Sequence, residues 1–221
     1  MNLLGIDTSS ANVSLSILWK DAILVDTNFR KKFAASWLVS HIDKYLKKFS
    51  LKLNKFDAFV VGKGPGSFTG LRISYSIVKA FSMALEKPVI TIGSFMSLAY
   101  PFRKREERIA VISDARRNLI YAASFRAQNG IVVAESKERL ISLEEFIQEK
   151  RNYFFITYDD DLRNEALRRE PQIKFFPRNI WPCAAYLLVE AASYYRKGIF
   201  TPLDKLEPLY LHPKTCQVRN V

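Results

Sequence analysis

The sequence predicts an α/β protein of two lobes, each built on a βββαβαβα unit. Three observations carry this reading. Strand-like and helix-like segments follow one another in the same order twice. The first strand of each half ends in an acid, Gly5-Ile6-Asp7 and Ile112-Ser113-Asp114. Half of the chain's eight glycines, Gly62, Gly64, Gly66 and Gly70, crowd into one strand-to-helix connection.

Leu3 to Asp7 is an apolar run that reads as a strand. Val13 to Trp19 and Ala22 to Phe29 follow so closely that antiparallel hairpins are expected. Ser36 reads as an N-cap for a helix through Phe49, with Leu38, Ile42, Tyr45, Leu46 and Phe49 on its buried face. Phe56 to Gly62 is a fourth strand and Leu71 to Leu85 a second helix, capped by Ser67 or Thr69. Pro88 to Ile92 is a fifth strand, and Ser94 reads as the cap of a short helix ending at Pro101. The charged link Arg103 to Glu107 divides lobe 1–103 from lobe 104–221.

The order then restarts. Arg108 to Asp114, Leu119 to Phe125 and Ile131 to Ala134 read as strands. Ser142 caps a helix through Glu149, with Glu145 completing a capping box. Tyr153 to Thr157 is a strand, Asp161 to Arg169 a helix and Ile173 to Phe175 a short strand. Ala184 to Lys197 is an amphipathic helix stopped by Gly198.

Composition narrows the function. The net charge is +12, and residues 1–103 hold 14 Lys and Arg against 6 Asp and Glu. Much of that excess lies in Arg30-Lys31-Lys32 and in Lys44, Lys47, Lys48, Lys52 and Lys55. Such charge suits a solvated surface, RNA or an acidic partner; no base-reading aromatic motif accompanies it. No 18-residue apolar run exists, and the N-terminus has no basic segment, so neither a membrane span nor a signal peptide is expected. The two cysteines, Cys183 and Cys216, have no metal spacing, which suits a reducing cytoplasm. The two histidines, His41 and His212, lack the helical pairing of a metalloprotease, so no metal is expected. Asp159-Asp160-Asp161 reads as acids gathered at a helix N-terminus, and Cys183 as a core residue at a helix start.

The glycine stretch, Gly62-Lys63-Gly64-Pro65-Gly66-Ser67-Phe68-Thr69-Gly70, lacks the Gly-Lys-Ser/Thr of a Walker loop and the Gly-x-Ser-x-Gly of a nucleophile elbow. A tight structural connection is expected, although its backbone amides could also meet a phosphate. The helix after it is apolar on two faces, Leu71, Tyr75, Val78 and Leu85 on one, Ile73, Ile77, Phe81 and Ala84 on the other. Two apolar faces need two covers, and a second polypeptide is one candidate.

A duplicated unit with an acid closing each first strand resembles the two-lobed actin-like superfamily of sugar kinases and chaperone ATPases, also described as ribonuclease-H-like. In that superfamily the turns after these acids hold ATP phosphates. Here they read Asp7-Thr8-Ser9-Ser10 and Asp114-Ala115-Arg116-Arg117, without the glycine that admits a phosphate. Asp7, Thr8, Ser9, Asp114 and Arg116 are therefore expected to form at most a vestigial phosphate site.

Five ordered blocks are more specific: LLGIDTSS, GKGPGSFTGLRI, IGSFMSLA, ISDARRNLIYAASF and LEPLYL. They resemble the TsaB (YeaZ) family, a glycoprotease-like group that supports threonylcarbamoyladenosine formation in tRNA. Two departures stand out. No histidine occurs in Lys32-Phe33-Ala34-Ala35-Ser36-Trp37, and His212-Pro213 stands where an arginine is usual. The resemblance implies a non-catalytic dimerisation subunit working with a TsaD-like catalytic subunit and a TsaE-like ATPase. It implies a homodimer when alone, weak or indirect contact with tRNA, and no cofactor of its own, with a nucleotide shared with the partner complex left open. The partner interface is expected at Trp37, His41, Tyr45, Leu71, Tyr75, Val78 and Ser82. The competing readings are an ATP-dependent enzyme of the superfamily and a glycoprotease-like hydrolase.

Overall fold

In the computed structural model the described residues are 1–30 and 34–212, with the side chains of 34–36 excluded. Lys31, Lys32, Phe33, Pro213, Cys216 and the side chain of Ser36 lie outside them. Two compact units are present: Met1–Ser97 with Pro182–Pro208, and Leu98–Trp181 with Leu209–Val221. The expected contiguous division at 103/104 is thus corrected, because the segment 182–208 returns to the first unit.

The first unit holds β1 (Leu3–Asp7), β2 (Asn12–Trp19), β3 (Ala22–Arg30), α1 (Ala34–Lys48), β4 (Ala58–Gly62), α2 (Phe68–Leu85) and β5 (Val89–Ile92). Helix α3 (Ser94–Ala99) follows, and α6 (Ala184–Arg196) joins from the far end of the chain. The sheet order is β3-β2-β1-β4-β5, with β1, β2 and β3 antiparallel and β1, β4 and β5 parallel. Strands β1 and β4 are buried along their whole length, because helices cover both faces. On one face Leu4, Ile6, Phe59 and Val61 pack with Leu38 and Ile42 of α1 and Tyr75 and Val78 of α2. On the other, Leu3, Val60 and Ile90 pack with Leu187, Leu188 and Ala191 of α6. Gly5 sits under that helix; a Cβ there would lie 2.9 Å from Leu188.

The second unit holds β6 (Arg108–Asp114), β7 (Leu119–Gln128), β8 (Ile131–Ala134), β9 (Arg139–Ser142), α4 (Leu143–Glu149), β10 (Phe154–Ile156), α5 (Asp160–Arg169) and β11 (Lys174–Phe175). Its sheet order, β11-β10-β6-β7-β8, repeats that of the first unit. Strands β8 and β9 together occupy the place of β3, each paired with part of β7. The amides of Glu135 and Ser136 both donate to the Ser124 carbonyl where the strand breaks. Sequence reading missed β9, whose only apolar residues are Leu140 and Ile141.

The caps decide the helix starts. Ser67 accepts from the Gly70 amide at 3.2 Å and starts α2, which resolves the choice between Ser67 and Thr69. Ser142 caps α4 as expected, and Asp159, read from sequence only as one of the acids at a helix N-terminus, caps α5. Helix α1 begins at Ala34, two residues before the expected cap, so Ser36 lies inside it.

Candidate functional site

The glycine stretch lies directly on the turn after β1. Gly62 ends β4 beside Asp7, and a Cβ on it would stand 2.0 Å from Asp7 Oδ2. Gly66 passes over the next residue but one, and its Cβ would stand 2.0 Å from the Ser9 carbonyl oxygen. Only glycine permits such approaches. The glycines therefore let backbone meet backbone, and the connection between β4 and α2 is a cover over the turn.

Polar contacts close the cover. The Ser67 amide donates to the Ser9 carbonyl at 2.7 Å. Thr8 Oγ1 donates to the Gly70 carbonyl at 2.6 Å and lies 2.8 Å from Ser74 Oγ. Asp7 Oδ1 accepts from the Ser9 amide at 2.8 Å and Ser9 Oγ at 2.6 Å, and Oδ2 accepts from Ser94 Oγ at 2.7 Å. Ser94 Oγ also accepts from the Gly64 amide at 3.1 Å. Asp7, Thr8 and Ser9 are each 1% exposed. Burial raises the Asp7 carboxyl above its ordinary range, against the lowering effect of its Ser9 and Ser94 hydrogen bonds. Ser94 is thus a tie between three segments, where the sequence suggested a simple helix cap. Ser74, expected to let a partner helix approach closely, is instead buried against Thr8, since a serine inside an apolar helix gives no local sign of a distant partner.

The second turn differs. Arg116, Arg117 and Asn118 all have positive φ, at 69°, 57° and 59°. Asp114 and Arg116 are exposed; the Arg116 amide donates to Asp114 Oδ1 at 2.8 Å, and its guanidinium lies 3.6 Å from the same carboxylate. His212 Nε2 lies 2.7 Å from the Ala115 carbonyl oxygen.

The expected interface residues divide. Trp37, His41 and Tyr45 are half-buried on α1, with Trp37 and His41 stacked and Phe29 against Trp37. Leu71, Tyr75, Val78 and Ser82 are corrected: they are 0%, 5%, 0% and 3% exposed and form the inner side of α2. The sheet is the cover of that face. Ile73, Ile77, Phe81 and Leu85 are half-buried against the same core, while Ser76, Lys79, Ala80, Met83 and Ala84 point outward. Met83 is 64% exposed. Asp159 caps α5 by accepting from the Leu162 amide. Cys183 is half-buried beside Asp26, and burial pushes its thiol up to about 11. Among the described residues no helix is long and apolar enough to cross a membrane.

The chain is similar to known proteins. The Bacillus subtilis (strain 168) "tRNA threonylcarbamoyladenosine biosynthesis protein TsaB" is 28% identical over 172 residues, 76% of this chain and 75% of that one. The Escherichia coli (strain K12) protein of the same name is 26% identical over 96% of this chain and 94% of its own. The solved structure "YeaZ from Pseudomonas aeruginosa" superposes with a TM-score of 0.82 at 24% identity, covering 95% of this chain and all of that one. That likeness establishes the fold, a mixed α/β architecture with two sheets. Residues 31–195 match the family described as "TsaD: tRNA N6-adenosine threonylcarbamoyltransferase", and on that match the chain belongs to this family.

Proposed function

We propose that this chain is a non-catalytic partner subunit in the formation of threonylcarbamoyladenosine in tRNA. The observation that carries the reading is the sealed first turn. An enzyme of the actin-like type would present that turn to a phosphate, whereas here Asp7, Thr8 and Ser9 are occupied by the glycine cover, Ser74 and Ser94. The names of the relatives supply the pathway. In this reading a TsaD-type subunit performs the transfer and a TsaE-type ATPase assists it. The chain pairs with the catalytic subunit, or with a second copy of itself, through the outward side of α1 and α2. Val39 and Met83 offer exposed apolar surface there, and Ser76, Ala80 and Ala84 are small enough for close helix approach. Lys44 and Lys79 form a charged rim.

Two measurements on the purified chain test this. ATP turnover is expected at background, and mixing with a TsaD-type subunit is expected to give a heterodimer by sedimentation. Turnover by the chain alone, or failure to associate, counts against the reading.

A further inference from the structure

One end of the first unit gathers cations from three separate segments. It is the end where β1, β4 and β5 begin, opposite the glycine cover. Helix α1 finishes there, because the chain goes from Lys48 through a 3-10 turn at Leu53–Lys55 directly into β4. Helix α2 finishes there too, since only the stretch 86–88 separates it from β5. Helix α6 arrives at the same place: Arg196 reaches Asp21 at 4.0 Å, and Thr201 bridges Val89 at the start of β5.

Hydrogen bonds fix the neighbours. The Lys20 amide donates to Asn2 Oδ1 at 2.9 Å, and Asn2 Nδ2 donates to the Lys55 carbonyl at 3.1 Å. Lys20, Lys47, Lys48, Lys52, Lys55, Arg196 and Lys197 are all exposed. Three of the acids at this end are already engaged, while Glu86 stands exposed where α2 ends. Asp43 pairs with Lys47 at 2.7 Å, Asp21 holds the N-terminal amine at 3.2 Å, and Asp57 accepts from the Asn2 amide at 2.7 Å. Among the described residues no carboxylate lies within ion-pair distance of Lys20, Lys48, Lys52 or Lys55.

Helix dipoles account for part of this. Lys47 and Lys48 stand in the last turn of α1, where a cation is favourable. Lys20, Lys52 and Lys55 lie in turns outside any α-helix, and no dipole requires them. The charge is spread over exposed residues of several segments, which suits a polyanion better than a small anion. Phe200, 40% exposed and edge-on to Tyr195, offers one aromatic face near Lys197.

The geometry points to this end of the first unit as a docking surface for an RNA backbone, with Lys20, Lys48, Lys52 and Lys55 contacting phosphates. The inference rests on the tRNA reading above and names a contact that the sealed turn and the α1–α2 side do not supply. Binding is expected to be salt-dependent and indifferent to base sequence.

The test is fluorescence anisotropy with an unmodified tRNA transcript and the full chain. A triple variant, Lys48→Gln with Lys52→Gln and Lys55→Gln, is compared with a triple in the second unit, Lys104→Gln with Lys137→Gln and Lys174→Gln. The first is expected to lose about tenfold or more in affinity. Its dependence of log affinity on log salt should become shallower by about two, at roughly 0.7 to 0.9 per lost phosphate contact. The second triple should change affinity by less than about threefold. Equal loss in both triples, no binding by the unsubstituted chain, or preference for polyglutamate over tRNA would overturn the inference. Sedimentation with the TsaD-type subunit is run on the same samples: a patch variant that still associates separates loss of RNA contact from failure of the partner-subunit reading.

Discussion

Asp7 is a buried carboxylate held by Ser9 and Ser94, and its chemistry fixes how the first turn responds to change. Replacing it with Ala strands the Ser9 amide and two hydroxyls in the interior, at a cost of about 2–4 kcal/mol. Asn keeps the shape and one acceptor, so Asp7→Asn should cost less; urea titration of both variants measures the difference. The pH dependence has a definite sign. The folded-state pKa is raised, so the folded chain holds this proton more firmly than the unfolded one, whose carboxyl titrates near about 3.9. The stabilising contribution is full below that value and is lost as pH rises through the raised folded pKa. Wild type minus Asp7→Asn stability should therefore be most favourable near pH 4 and fall toward neutrality. A difference that grows with pH would show Asp7 to be stabilised as the anion. Gly62→Ala places a methyl group against Asp7 Oδ2 and should cost about 3 kcal/mol or more, read by the same titrations.

Helix α2 shows where sequence periodicity stops. Two apolar faces were legible, but their spacing did not say which one meets the sheet. Leu71, Tyr75 and Val78 do, and so cannot also meet a partner from outside. Tyr75→Glu and Val78→Glu should therefore unfold the first unit, seen as lost ellipticity. Ala80→Glu and Met83→Glu should stay folded yet weaken association by about 3 kcal/mol, roughly a hundredfold in Kd, if the outward side docks the partner. Normal sedimentation of both outward variants would place the interface elsewhere. The glycine stretch was legible as a strand-to-helix connection because Gly62, Gly64, Gly66 and Gly70 have few other uses at that density. What it covers was not legible, since Thr8, Ser9, Ser74 and Ser94 meet it only through long-range folding. Strand β9 escaped notice because two apolar residues between Arg139 and Ser142 give no pattern of their own.

At the scale of the molecule, the duplicated order of strands was readable because each hairpin and crossover leaves a local pattern. The return of α6 to the first unit was not, because an amphipathic helix carries no label for the sheet it will cover. Leu187, Leu188 and Ala191 close a face that residues 1–103 alone would leave open. A fragment of residues 1–103 should accordingly aggregate or unfold without cooperativity, whereas a monomeric fragment with a sharp thermal transition would show α6 to be dispensable. The central claim is that the chain supports threonylcarbamoyl transfer and performs no chemistry itself. Nucleoside chromatography of tRNA after reconstitution tests it most directly. TsaD-type and TsaE-type subunits with ATP and the threonylcarbamoyl donor should form threonylcarbamoyladenosine only when this chain is added, and this chain with donor and ATP alone should form none. Modified nucleoside made by this chain alone, or made equally well without it, would contradict the account.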